Sequence, residues 1–444
     1  VSGFNNGEQG PMSEVAFWFR RDLRLQDNRG LFEALSLNQP VRLFFIFDPS
    51  ILKLLEPDDH RVSFLWDHLA KMRQVLEKHG STIEVLYGEP TDEWAKVFKR
   101  YPNIKAIYCN HDYESSAIER DQKVAKLCEQ RDITFRSFKD QVIFEKNEIL
   151  SDSGSVYKVY TPYKKKWLAN LKPEHIKDYK IRPELLKLNE DLKKPFVTLK
   201  QMGFRQSSIK PPEIFYNPEV LKNYAQTRDF PALEKGTSKM GLSLRFGLVS
   251  PRACVRNALN IKADVWLSEL IWREFFMQIL FHYPHIETQC FRPEFDKIEY
   301  RLEKEELERW KSGQTGEPLV DAGMRELTAT GYMHNRVRMM VASYLTKHLL
   351  HYWKEGERYF ASKLFDFDLS ANVGNWQWAA GCGVDAAPYF RIFNAHLQAK
   401  KFDPRWEYIK KWVPEVNTAK YPKPMVDHEY ARKRALATFK KGLG

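Results

Sequence analysis

The 444-residue chain has little of what builds metal, disulfide or membrane chemistry. Its five cysteines, Cys109, Cys128, Cys254, Cys290 and Cys382, lie far apart, and no CxxC pair or Cys/His cluster has metal-ligand spacing. That excludes a zinc module and a disulfide framework, and no metal is expected. An odd, scattered set fits reduced thiols in a cytoplasm of bacterial type. No unbroken apolar run approaches the ~20 residues that cross a bilayer. Runs of Lys and Arg stop after a few residues, Lys164-Lys165-Lys166 being typical. No GxGxxG follows the first strand-like run, which leads instead into Arg20-Arg21-Asp22-Leu23-Arg24. No internal repeat is visible. The opening stretch, Val1 to Pro11, is polar and Gly-rich, unlike a signal peptide, and reads as an expression remnant ahead of a native start at Met12.

What is present is a core and a positive charge. Hydrophobic residues make up 43%, which excludes wholesale disorder, and the length suggests two or three domains. Lys and Arg number 70 against 58 Asp and Glu, a net charge of +12 often met in proteins that bind a polyanion. Spread along the chain as it is, that charge alone leaves nucleic acid one alternative of two. Aromatics reach 14% with 12 Trp, so stacking, redox or base-binding roles compete with plain core packing.

From Val15 to about Phe144, short apolar runs (Val15–Phe19, Val41–Phe47, Thr82–Tyr87, Ala106–Cys109, Thr134–Phe138) alternate with helix-like stretches such as Val62–His79 and Ser115–Asp132. This pattern predicts an α/β domain over 12–144 with a parallel sheet. A Lys- and Pro-rich connector with weak periodicity follows over 145–212. From 213 to 444 helical periodicity dominates, with helices expected over Pro251–Asn260, Val265–His282, Leu302–Gly313, Pro318–Thr330, Asn335–His348, Trp353–Leu364 and Asn375–Ala380. Asp264 is the expected cap of the second of these.

Three segments of the helical half hold residues that packing alone does not explain, and a fourth carries a weaker signal. In Trp266-Leu-Ser-Glu-Leu-Ile-Trp-Arg-Glu-Phe275, helical spacing puts Glu269, Trp272 and Arg273 on one face. There they line a pocket or, on the competing reading, form a surface ion pair beside a core Trp. In Met333-His-Asn-Arg-Val-Arg-Met339, Asn335, Arg338 and Met339 share a face and Arg336 points elsewhere. Asn335 can read the edge of a ring imide, the two Arg suit phosphates, and His334 reads as a satisfied polar residue near the helix start. Asp366-Phe-Asp-Leu-Ser-Ala-Asn-Val-Gly-Asn-Trp-Gln-Trp378 is too polar for a core and too aromatic for a loop. Its Trp376 and Trp378 should face different ways, one inward and one to a cavity. Gly236-Thr-Ser-Lys-Met-Gly-Leu-Ser243 suits a phosphate cradle, although Gly-Ser loops are common.

Taken in this order, these segments resemble the photolyase/cryptochrome family. The likeness runs from Phe17-Trp-Phe-Arg-Arg-Asp-Leu-Arg24 to about Trp412, and is closest in WLSELIWREF, MHNRVRM, EGERYF, LSANVGNWQW and DAAPYFRIFN. Within the family, MHNR with Asn335 looks like a class I photolyase acting on cyclobutane pyrimidine dimers. A blue-light-receptor cryptochrome and a DASH-like enzyme restricted to single strands are the alternatives. The resemblance implies an α/β domain, a long connector and a helical domain holding FAD, active as FADH⁻. It implies ultraviolet-damaged DNA as partner, no obligate protein partner, and a monomer.

By position, the resemblance assigns Tyr224, Arg228, Thr237, Ser238, Lys239, Met240 and Ser243 to the phosphate and ribityl part of the FAD site. It assigns Asn335, Arg338, Asp366, Asp368 and Asn372 to the isoalloxazine ring, with Asn372 facing N5, and Trp272 and Arg273 also to the cofactor. Glu269, Trp272, Asn335, Arg336, Met339 and Trp378 match the dimer pocket, and Trp376 and Trp353 an electron relay. The third relay position falls on Tyr300; Trp310 matches another position. Where folate-binding members carry an Asn-Glu pair this chain has Ser116 and Ala117, so no tight folate is expected and the antenna chromophore is left open.

Overall fold

The computed structural model describes residues 13–188 and 190–444. The stretch read as a remnant, with Met12, lies outside the described residues. The chain divides into two compact units, each assembled from separated pieces. One contains the residues through Ile143, then Ile176–Ser207 and Phe246–Ala253; the other contains Phe144–His175, Ser208–Arg245 and Cys254–Gly444.

The first unit is built on five parallel strands, β1 (Glu14–Phe19), β2 (Val41–Phe47), β3 (Ile83–Tyr87), β4 (Ile104–Asn110) and β5 (Thr134–Phe138), in the order β3-β2-β1-β4-β5. β1 and β2 are almost wholly buried, as their unbroken apolar runs require in a sheet covered on both faces. The strands alternate with helices α1 (Arg29–Leu35), α2 (His60–Glu77), α3 (Pro90–Arg100) and α4 (Ser115–Glu129). Trp94, Val97 and Phe98 of α3 and Val124 and Cys128 of α4 pack against Trp18, Phe44 and Ile107 of the sheet. Ser116 and Ala117 fall in the first turn of α4.

The strand order turns at β1 and β4, where doubly wound sheets commonly hold a nucleotide. Here the exit of β1 is filled by its own side chains. Asn110 donates to Asp22 (2.6 Å) and Asn28 (2.8 Å), and Arg20 pairs with Asp121. Arg24 reaches the fully buried Asp140 at 2.6 Å, and Arg252 bonds the same carboxylate at 2.8 Å. Asp140 thereby ties Phe246–Ala253 into this unit. Burial would raise its pKa, but the two guanidinium groups hold it below the usual carboxylate value.

The stretch read as one connector is shared between the units. Residues 176–207 return to the first, where Val197 bonds Val85 and Leu188 bonds Gly80. Residues 144–175 join the second and include a helix missed in the sequence, α5 (Tyr160–Asn170). Its periodicity is weak, and Pro162 stands in its first turn, where proline is tolerated. Also in the second unit are α6 (Asp264–His282), α7 (Pro318–Thr330), α8 (Asn335–Ser343), α9 (Trp353–Lys363), α10 (Leu369–Ala380) and α11 (His428–Leu443).

Three expectations are corrected. Asp264 is the first residue of α6 and not its cap; the capping position is Ala263, which makes no side-chain capping bond. The helix expected to run to His348 widens into a π turn over Tyr344–His348. α10 starts at Leu369, well before Asn375, because Asp368 accepts from the Ala371 amide (3.1 Å) and caps it. All five cysteines are buried thiols. Among the described residues no helix is long and apolar enough to cross a membrane, and no group of His, Cys, Asp or Glu could hold a metal.

Replacing Asp140 with Ala leaves two buried guanidinium groups without their carboxylate and should cost about 3–5 kcal/mol. A urea titration reads this as a lowered unfolding midpoint for Asp140→Ala, with a smaller fall for Asp140→Asn.

Candidate active site

The site in the second unit forms around one ion pair. Arg338, on α8, reaches Asp366, in the turn between α9 and α10, through Nη2 at 2.9 and 3.1 Å, and donates Nε to the Met333 carbonyl at 2.7 Å. Burial alone would lower the Arg338 pKa, but the Asp366 charge reverses this and holds it above the ordinary value. Beside the pair opens a cavity lined by Asn335, Arg338, Met339, Asp366, Asp368, Asn372, Trp376 and Trp378, with Phe360 and Leu364 as apolar wall. The two cationic residues of the 333–339 segment do not offer a free phosphate site. Arg338 is held by Asp366 and Arg336 by Asp229.

Asn372, on the first turn of α10, gives both bonds of its amide nitrogen to Glu357, one to the carbonyl (3.1 Å) and one to the carboxylate (2.9 Å). The side chain is thus turned so that its carbonyl oxygen remains as an acceptor in a cavity-lining residue. Asp368 is spent on the α10 cap and an ion pair with Arg245 at 3.7 Å. Trp376 and Trp378 both line the cavity, contrary to the expectation that they would separate. α10 lies along the cavity, so rings on two of its faces reach it. Trp376 is buried, and Trp378 is half-buried.

The 236–243 segment, which ends in the first turn of a short helix (Gly241–Arg245), approaches Asp366. A Cβ at Gly241 would stand 2.7 Å from Asp366 Oδ2, so only glycine permits that approach. Thr237 and Lys239 line a second cavity with Tyr332, His334 and Glu326. Burial lowers the Lys239 pKa. Ser238 is buried and accepts from the Trp266 indole at 3.1 Å; Met240 and Ser243 are buried as well.

Glu269, Trp272 and Arg336 lie outside the set that lines the first cavity. Glu269 pairs with Arg228, whose guanidinium sits 5.2 Å from the Tyr224 ring. The next residue, Asp229, pairs with Arg336, so residues 228 and 229 bridge α6 to α8. Burial pushes the Glu269 carboxyl upward while Arg228 pulls it down; the net shift is upward. Trp272 stacks flat on Tyr160 of α5, with centroids 3.6 Å apart and planes at 8°. Arg273 reaches the Leu244 carbonyl at 3.5 Å.

Trp353 is fully buried at the start of α9. Trp376 presses on Gly356, one turn further along that helix, so closely that any Cβ there would overlap its ring. Tyr300 meets Tyr352 with centroids 5.2 Å apart, and Trp310 lies 6.1 Å from Trp376.

Two family profiles match the chain. One, described as DNA photolyase, matches residues 15–183; the other, described as the FAD binding domain of DNA photolyase, matches residues 266–420. A deoxyribodipyrimidine photo-lyase of Alkalihalophilus pseudofirmus is 34% identical over 96% of this chain and 97% of its own. The chain belongs to the DNA photolyase family. A solved class III photolyase from Agrobacterium tumefaciens superposes with a TM-score of 0.88 at 30% identity, covering 99% of both chains. An archaeal photolyase from Sulfolobus tokodaii, solved with two FAD molecules, matches with a TM-score of 0.81 at 32% identity over 96% of this chain and all of its own.

The donor set fits FAD. A flat ring with hydrogen-bonding edges suits a cavity with an apolar wall, a fixed guanidinium and an amide carbonyl. A pyrophosphate suits Thr237 and Lys239 in the neighbouring cavity. Several residues escaped the sequence reading: Glu357, Asp229 and Tyr160 each hold a candidate site residue in place. Glu357 lies within EGERYF, a segment singled out for its likeness alone. No local signal marks Asp229 or Tyr160, whose partners are distant in sequence.

His334 caps α8, its Nδ1 accepting from the Arg336 amide at 3.1 Å. Burial, with Arg338 and Arg336 close by, pushes its pKa down to about 4. A depressed histidine contributes stability that is complete above its unfolded value of about 6.5 and is lost as pH falls toward the folded value. Between pH 7 and pH 5 that loss is about 2 kcal/mol. His334→Asn keeps a capping side chain and should unfold with a correspondingly flatter pH dependence in urea.

Proposed function

We propose that this chain repairs cyclobutane pyrimidine dimers in ultraviolet-damaged DNA, using light and FAD held in the Arg338–Asp366 cavity. The observation that carries this reading is a half-buried ion pair and an oriented amide sharing one cavity with a partly exposed rim of Trp378, Asn335 and Met339. Reduced FAD (FADH⁻), excited by light, supplies the electron that opens the cyclobutane ring.

The protein groups have the following roles. Arg338, held in place by Asp366, balances the negative charge of the reduced ring. Asn372, with its NH₂ tied to Glu357, presents its carbonyl as the acceptor for the proton at N5. Trp378 and Met339 give the dimer an apolar wall once it is flipped from the duplex, and Asn335 reads its imide edge. Glu269 is held by Arg228 until substrate competes for it. Released from Arg228, the Glu269 side chain forms a hydrogen bond to the dimer that strengthens as charge develops there. The net charge of +12 gives salt-dependent attraction to phosphates. Asn335 within MHNR supports the class I reading, and Ser116 with Ala117 supports an antenna other than tightly bound folate.

The test is repair of ultraviolet-irradiated oligothymidine by anaerobically reduced, FAD-loaded protein. Thymine absorbance should recover under blue light and stay constant in darkness. No recovery in either condition would favour a photoreceptor. Glu269→Ala should retain FAD and lower repair yield about tenfold, the scale of one lost hydrogen bond to a charged group; an unchanged yield removes Glu269 from the reaction. Asn372→Asp should change the redox state in which the flavin accumulates during illumination, read from its absorbance spectrum.

A further inference from the structure

The aromatic path leading away from the cavity ends on a residue for which neither the motifs nor the family likeness provides a role. Trp376 lines the cavity and rests on Gly356; Trp353 is one turn back on the same helix. The Tyr352 ring lies 5.7 Å from Trp353 and 5.2 Å from Tyr300. The two tyrosines differ in what their hydroxyls meet. Tyr300 donates to the Phe295 carbonyl at 3.2 Å, an amide oxygen that cannot keep a proton. Tyr352 donates to Asp296 Oδ1 at 2.7 Å, and Asp296 is exposed to solvent. The same carboxylate is fixed by the Cys290 amide at 3.2 Å from both oxygens, and the Cys290 thiol lies 3.9 Å from the Tyr352 oxygen.

We infer that Tyr352, with Asp296 as its proton acceptor, is the terminal donor of the Trp376–Trp353 relay, in place of Tyr300. This rests on the reading that those two tryptophans carry electrons to bound flavin. The oxidant is the light-excited, oxidised isoalloxazine ring, which takes one electron from Trp376. Trp353 refills Trp376, and Tyr352 refills Trp353. As its electron leaves, the Tyr352 O–H bond breaks and the proton passes to Asp296, leaving a neutral tyrosyl radical and a neutral carboxylic acid. Charge and atoms balance without a further reactant, and an external thiol later returns the electron and a proton to the tyrosyl oxygen, Asp296 releasing its own to solvent. A tyrosine oxidised without losing its proton is a strongly acidic cation, so the hydroxyl facing a carboxylate is the one that oxidation favours. Burial, together with Asp296, keeps the Tyr352 phenol above its usual pKa and therefore protonated at rest.

Freeze-trapped electron paramagnetic resonance of the oxidised, FAD-loaded holoenzyme under blue light tests this, with ring-deuterated tyrosine to separate tyrosyl from tryptophanyl signals. The expected result is a tyrosyl signal that is lost in Tyr352→Phe, kept in Tyr300→Phe, and lost or short-lived in Asp296→Asn. A tyrosyl signal that survives Tyr352→Phe, or a wild-type radical on tryptophan alone, overturns the proposal. Trp353→Phe separates this from failure of the relay reading. If photoreduction and the radical both persist in that variant, the relay does not run through Trp353 and the proposal falls with it.

Discussion

The contact between Arg338 and Asp366 is the constraint on which the site depends. Three separate pieces of chain converge on it: α8 supplies the guanidinium, the turn before α10 supplies the carboxylate, and the 236–243 loop comes close enough to Asp366 that Gly241 has no room for a side chain. A half-buried charge pair of this kind fixes geometry more than it adds stability, because each partner holds the other in one orientation. Burial pulls the Arg338 pKa down and Asp366 raises it above the ordinary value, so the guanidinium, a cation in any case, is fixed in place by its partner. A cavity with a permanent cation at its wall is suited to a ring that carries negative charge in its reactive form.

Around that pair, side chains are held by partners that do not themselves line the cavity. Glu357 orients Asn372, Asp229 occupies Arg336, and Arg228 occupies Glu269. Tyr160 stacks on Trp272 from a helix that joins this unit out of the stretch read as a connector. Positioning by a second layer is what lets polar groups keep one orientation before substrate arrives. It also accounts for the tight packing of α9 on α10, where Gly356 yields its space to Trp376.

Much of the fold was legible in the sequence. Apolar runs such as Val41–Phe47 marked the strands because a sheet buried on both faces needs unbroken hydrophobic stretches. Pro318–Thr330 was visible with its exact bounds because proline starts it and Gly331, in the left-handed conformation, ends it. α5 was not legible, since its buried residues, Tyr160, Tyr163 and Trp167, are three aromatics in a stretch otherwise rich in lysine. The interleaving of pieces between the two units was also hidden, because it depends on contacts such as Asp140 with Arg252 that link residues far apart in sequence. Segment composition identified Asn335, Arg338, Met339, Asp366, Asp368, Asn372, Trp376 and Trp378, which line one cavity. Asp229, the ion-pair partner of Arg336, carried no local pattern, and so the reading of that arginine as one that suits phosphates did not foresee the contact that holds it.

The most direct measurement compares two oligonucleotides, one carrying a single cis-syn thymine dimer and the other a single six-four photoproduct. Each is illuminated with reduced, FAD-loaded protein and resolved by chromatography. The account predicts that the cyclobutane lesion reverts to two thymines in light only and that the six-four lesion is untouched. Reversion of the six-four lesion, or of neither one by fully loaded protein, would contradict it.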